Sequence, residues 1–184
     1  DNRNRPYSRA SIHNWFVGRA LDVLRPGGLV CFITSTYFLD ESDAGMRAHV
    51  ASEADLVTAL RLPSGTFERI ASTSVQADLV VFRKRAPGEA AAAAEWLDLD
   101  YVPKAMLREG CHEQYLRINR WFVRHPEHVL GRIDRVSNGF QAVPTAMLDG
   151  DLDSALLGAQ ALVPKGAYSV QPKAPARTPR DIVP

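Results

Sequence analysis

The run LRPGGLVCFITSTYFLD, residues 24–40, constrains this chain more than any other stretch. A helix does not continue through Pro26, which lacks an amide donor, into the Gly27-Gly28 pair. The residues that follow, 29–34, are apolar at nearly every position instead of alternating. That is the pattern of a strand covered on both faces, as in a parallel sheet between helix layers. Thr34 and Ser35 stand at its carboxyl end, the edge where open α/β sheets bind ligands.

The flanks extend the alternation. Ile12, Trp15, Phe16, Val23 and Leu24 recur at helical spacing over residues 11–25, with Ser11 placed to cap. A second helix is predicted over 42–53 and a second strand over 56–62, so the order helix, strand, helix, strand belongs to an α/β sheet. The next connection, 63–77, is rich in Pro, Gly and hydroxyls and makes a poor helix. A return without a crossover helix runs antiparallel, so the strand predicted over 78–84 pairs antiparallel with its predecessor. Alanine-rich residues 86–95 read as a surface linker. Tyr115, Ile118 and Phe122, with Trp121 beside them, predict a helix over 112–124 that Pro126 ends. From residue 164 prolines accumulate and apolar residues thin out, which predicts an extended or disordered tail.

A net charge of +1 over 184 residues does not announce a polyanionic partner. Cys31, inside the apolar run, reads as a buried small hydrophobe, and two cysteines fit a reducing cytoplasm. No apolar stretch is long enough to span a bilayer, so no membrane partner is expected.

Read together, SIHNWFVGRALDVLRPGGLVCFITSTYFLD and RAHVASEADLVTALRLPSGTFERIASTSVQADLVVFRKR resemble the C-terminal half of the catalytic domain of N6-adenine-specific DNA methyltransferases. The form they resemble is the one found in large methylase–helicase fusion proteins. INRWFVRHPEHVLGRI resembles the segment behind the methylase there, so the resemblance covers residues 11–135. It implies an α/β fold: a partial Rossmann-like methyltransferase sheet, mostly parallel with an antiparallel closing strand, plus a helical C-terminal extension. The implied divisions are 1–85 for the half-domain, 86–111 for a linker, 112–143 for the helical extension and 144–184 for a largely extended or disordered tail. The implied activity of the intact protein is methyl transfer from S-adenosylmethionine to adenine N6. The family's glycine-rich cofactor turn has no counterpart here, so the chain alone is expected to bind no cofactor and to be inactive. The implied partners are double-stranded DNA, the missing N-terminal half of the methyltransferase domain and a helicase domain in the same polypeptide. The alternative reading is a non-catalytic, methylase-derived structural or protein-interaction module.

Candidate residues follow from the same comparison. The family's Asn-Pro-Pro-aromatic loop grips a flipped adenine. Asn4, Pro6 and Tyr7 match it in part, with Arg5 where the first proline should be, and an ordinary N-terminal turn is the competing reading. For DNA contact the candidates are Thr34, Ser35, Ser64, Thr66, Thr73, Arg117, Arg120 and Arg124, the arginines being expected along one side of the helix at 112–124. Trp15, Phe16, Tyr37 and Phe38 read as packing groups. His125 and His128, with Cys111 and His112 nearby, form the best metal constellation, but adjacent Cys111 and His112 ligate jointly with difficulty. Histidines capping a helix end are the preferred reading, and no metal is expected.

Overall fold

Gly27 takes φ 73°, a conformation that glycine adopts without steric penalty, and its amide donates to the Lys84 carbonyl at 2.7 Å. The Lys84 amide returns a bond to Gly28 at 3.0 Å, so the turn is stitched to a strand nearly sixty residues on. These contacts come from a computed structural model that describes residues 7–8, 10–111, 115–137 and 142–168.

Helix α1 (Ile12–Val23) leads into β1 (Leu29–Ser35). Two short helices, α2 (Tyr37–Asp40) and α3 (Gly45–Glu53), carry the chain to β2 (Ala54–Arg61). One helical turn, α4 (Glu68–Ala71), precedes β3 (Ala77–Lys84). β3 inserts between the earlier strands, giving the order β1-β3-β2, and pairs antiparallel with both. The antiparallel return of β3 onto β2 follows the loop chemistry of 63–77. Among the described residues the expected Rossmann-like, mostly parallel sheet is not formed: every named strand pair is antiparallel, and parallel pairing is confined to isolated bridges such as Arg61–Val129. The reason lies in strand order. β3 folds back inward, so β1 becomes an edge strand instead of an interior one. Cys31 is accordingly exposed, and so is Ile33, against the expectation of a strand covered on both faces.

The second half adds β4 (Leu99–Tyr101), β5 (Arg117–Asn119), α5 (Arg120–Arg124), the hairpin β6 (Arg132–Ser137) with β7 (Ala142–Met147), and α6 (Leu152–Ala159). The helix predicted over 112–124 is thus a strand and then a five-residue helix, with 112–114 outside the described residues. Asn119 explains the break, because its side chain competes for backbone groups and so starts helices better than it continues them. Its Oδ1 accepts from the Trp121 amide at 3.0 Å, and its Nδ2 donates to the Leu39 and Trp96 carbonyls, each at 2.8 Å. Residues 144–162, expected in a disordered tail, contain most of β7, all of α6 and a final helical turn, while 169–184 lie outside the described residues.

One apolar cluster joins both halves. Val17 and Leu21 of α1, Phe38 of α2 and Val80 and Phe82 of β3 pack with Trp96, Ile118, Phe122 and Ile133. Phe82 meets Phe38 at 5.9 Å and Trp96 at 5.5 Å between ring centroids. Arg47 of α3, fully buried, clamps this junction through Nε to the Leu97 carbonyl at 2.9 Å and Nη1 to the Glu41 carbonyl at 2.7 Å.

Gly131, just before β6, has φ 127°, and a Cβ there would lie 2.4 Å from the Met147 carbonyl oxygen. Gly131→Ala is expected to lower the unfolding free energy by about 1–3 kcal/mol in urea titrations. Gly88→Ala is the control: φ is again positive, but no atom lies within 4 Å of its new Cβ. Equal losses for the two variants would show that backbone conformation alone sets the cost.

Candidate functional site

The apolar stripe of α1 points the wrong way for a core helix. Ile12, Phe16 and Val23 lie on one face and are 75%, 54% and 69% exposed. The opposite face, Asn14, Val17, Gly18 and Leu21, is the buried one. Helical spacing identified the stripe correctly but not the side on which it is covered. Gly18 allows this inversion: the Tyr7 ring sits where a Cβ at residue 18 would be, 2.4 Å from that position. The Tyr7 hydroxyl donates to Asp22, and the ring lies 5.7 Å from that of His49. Tyr7 is 1% exposed, so it is a packing group of α1 and offers no face to a base. Asn4 and Pro6 lie outside the described residues.

Beside the exposed stripe runs a groove of about 560 Å³. Ile12 and Phe16 of α1, Phe32 and Ile33 of β1, and Phe67 and Val75 from the β2–β3 connection line it. Ile33 and Val75 are themselves more than half exposed. β1 pairs with β3 on one side, and among the described residues no strand pairs with its other edge. An open strand edge and a contiguous apolar groove meet at one place, the combination that strand-adding and groove-docking partners use.

A polar cleft of about 540 Å³ adjoins it at Ser35. Ser35, Ser64 and Arg117, three of the residues expected to contact DNA, meet there with Asp40, Gln76 and the walls of β6 and β7. Thr34 and Thr73 line the apolar groove instead, and Thr34 is buried, with a hydroxyl that finds no partner among the described residues. The Thr66 hydroxyl donates to the Pro63 carbonyl at 2.6 Å and serves its turn. The three arginines do not share a helix face. Arg117 is on β5 and stacks at 5.8 Å on the Tyr101 ring, Arg120 pairs with Asp98 at 2.9 Å and Asp100 at 3.7 Å, and Arg124 is exposed on α5. Phe16 and Tyr37, expected to be packing groups, are largely exposed, whereas Phe38 is buried.

Beneath the cleft lies an ionic centre that sequence reading missed. Arg61 of β2 and Asp78 of β3 face each other across the sheet, both with fully buried side chains. Arg61 donates through Nε to Asp78 Oδ1 and through Nη2 to Asp78 Oδ2, both at 2.9 Å, and Nη2 also meets Asp40 Oδ2 at 2.8 Å. Its guanidinium lies 4.4 Å above the Phe122 ring. Burial pushes the Asp40 carboxyl up to about 6; the Arg61 charge opposes this, nearby Asp78 reinforces it, and the Asn119 amide, donating at 2.8 Å, opposes it. A charged residue in each of two strand patterns was visible in the sequence, but only the register shows that they pair.

Over 161 residues, 86% of this chain, the sequence is 34% identical to Defense against restriction protein B of Escherichia phage P1. The chain spans only 7% of that protein's length. No family model matches, and no solved structure matches. The relative is named for defense against restriction and not as a DNA methyltransferase, so the reading of this chain as part of an adenine methyltransferase is overturned. The antiparallel sheets remove the same reading from the side of the fold. Among the described residues no helix is long and apolar enough to cross a membrane.

Proposed function

We propose that this chain is a non-catalytic interaction module within a much longer polypeptide that takes part in defense against restriction. The outward apolar stripe of α1, continuous with the groove against β1, is the observation that carries the reading. Exposed Ile12, Phe16 and Val23 beside an apolar groove form the kind of surface that a docked segment covers. The occupant is another segment of the same long protein, since the matched region of the phage relative is flanked there by far more polypeptide than it contains. The defensive role is taken from that relative's name.

The test is a graft. This chain replaces the matching segment of the phage protein, and the phage is plated on a restricting host. Grafted phage should plate far above phage lacking the segment, and Phe16→Asp with Ile33→Lys should return plating to the deletion level. The same double variant of the isolated chain should unfold at an unchanged urea midpoint, because both side chains already face solvent. Wild-type plating by the double variant would remove the groove from the function. Plating of the unmodified graft at the deletion level would remove the defensive role.

The polar cleft favours a second reading, contact with double-stranded DNA. Arg117, Ser35 and Ser64 converge there, and hydroxyls beside an exposed guanidinium suit phosphate oxygens. Arg117→Glu should then weaken duplex binding and flatten its salt dependence, and unchanged affinity in about 50 mM salt would exclude the cleft.

A further inference from the structure

The short segment HPEH, residues 125–128, closes a constellation against Thr58 and Ala59 of β2. His125 ends α5, and residues 126–128 form one helical turn that brings His128 back beside it. The two imidazole rings lie 5.5 Å apart, and Trp121 covers both, at 4.1 Å from His125 and 5.6 Å from His128. One carboxylate oxygen, Glu127 Oε1, sits between them, 3.7 Å from His125 Nδ1 and 3.7 Å from His128 Nε2.

The remaining ring nitrogens decide what these groups can do. His128 Nδ1 lies 2.8 Å from the Ala59 carbonyl, which only accepts, so this nitrogen carries the proton and Nε2 is left with its lone pair in the neutral ring. His125 Nε2 lies 3.0 Å from Glu95 Oε1, another acceptor, so Nδ1 of that ring has the lone pair. Two lone pairs and a carboxylate oxygen therefore converge on one point, and three acceptors repel unless a positive centre stands among them. A carboxylate and a backbone carbonyl on the outer nitrogens are the partners that orient metal-bound histidines and fix their tautomers.

From this geometry we infer that His125 Nδ1, Glu127 Oε1 and His128 Nε2 form a binding site for a divalent transition ion of the zinc type. The three donor atoms lie within 4.8 Å of one another. A tetrahedral ion about 2.1 Å from each donor needs them about 3.4 Å apart, so the site closes with small side-chain rotations. Two imidazoles and one carboxylate suit zinc or cobalt better than calcium or magnesium, which prefer oxygen alone. Glu127 is about half exposed and His125 about one-third, leaving a fourth position to water. Neither Cys111 nor His112 is needed. Spacing along the sequence does not reveal the site, because the Glu127 side chain joins two histidines only once the turn at Pro126 has formed.

The experiment is titration of the purified 184-residue chain with zinc chloride by calorimetry, and with cobalt chloride by visible absorption. One ion per chain is expected, with cobalt bands of a four-coordinate N/O site and without the intense charge-transfer band of a thiolate ligand. Glu127→Gln should weaken zinc binding at least about tenfold, and Glu95→Gln, which touches no ion, should weaken it by about tenfold to a hundredfold through His125. Both positions are substantially exposed, so the variants should retain the far-ultraviolet circular dichroism and urea midpoint of the metal-free parent. Absence of binding by either ion would overturn the inference, as would stoichiometric binding that neither variant weakens. Nitrogen-15 spectra provide the remaining discrimination: zinc should shift His125 Nδ1 and His128 Nε2, and signals of doubly protonated rings at neutral pH that zinc leaves unmoved would assign the cluster as an imidazolium–carboxylate pair instead.

Discussion

Replacing Arg61 by Met is expected to cost about 3–5 kcal/mol of unfolding free energy, the range for breaking a buried ion pair from one side. The side chain is fully buried and is the cation against which both Asp78 and Asp40 are held. Methionine keeps the volume and the contact with the Phe122 ring but leaves two carboxylates facing each other without a counter-charge. The loss should therefore exceed what removing apolar contacts alone would give. Urea unfolding at pH 7, followed by tryptophan fluorescence, measures it. Adding Asp78→Asn and Asp40→Asn to the same chain should recover much of the loss, since neutral amides can hydrogen-bond to each other. A loss under about 1 kcal/mol for Arg61→Met would mean that the buried pair contributes no more than an exposed one.

The second large effect is a dependence on pH with a sign opposite to that of most carboxylates. The Asp40 carboxyl titrates near 6 in the folded chain against 3.8 as its ordinary value. Between those values the folded state binds a proton that the unfolded state has released, so unfolding free energy falls as pH rises. The stabilisation is complete below pH 4, declines through the window from 4 to 6 and is gone above 6. A shift of that size corresponds to about 3 kcal/mol across the window. Other carboxylates impose their own trends, so the diagnostic quantity is the difference between parent and Asp40→Asn. That difference should change by a few kcal/mol between pH 4 and 7, with the variant gaining on the parent as pH rises. A constant difference would place the Asp40 titration at its unfolded value and leave burial without a consequence there.

These two residues show where sequence reading stops. The strands around Leu29, Leu56 and Leu79 were legible because short apolar runs bounded by Pro, Gly and hydroxyls have few other uses, and the antiparallel meeting of β2 and β3 followed from a connection too poor for a crossover helix. Strand order was not legible. It depends on which edge β3 reaches, and periodicity carries no information about neighbours sixty residues away. From that one omission came the parallel sheet and the buried Cys31; the pairing of Arg61 with Asp78 depends instead on the register of β2 against β3. The α1 stripe failed in another way: Ile12, Phe16 and Val23 were correctly placed on one face, but hydrophobicity marks a surface that wants covering without saying what covers it. At residues 117–124 two signals compete, the helical spacing of Ile118 and Phe122 and the capping chemistry of Asn119, and the cap prevails. Of the expected site residues, Ser35, Ser64 and Arg117 do share a cleft, because the end of β1 and the β2–β3 loop are neighbours in either sheet order.

The β1-β3-β2 order also dictates a schedule for biosynthesis. The strand made last is the one in the middle, and the two made earlier never pair with each other. A ribosome releasing this chain from its amino end holds β1 and β2 without any ladder until β3 begins to emerge, when Ala77 can meet Ser35 and Asp78 can meet Arg61. Until then Val30 and Phe32, which the finished core covers in part, stand in water.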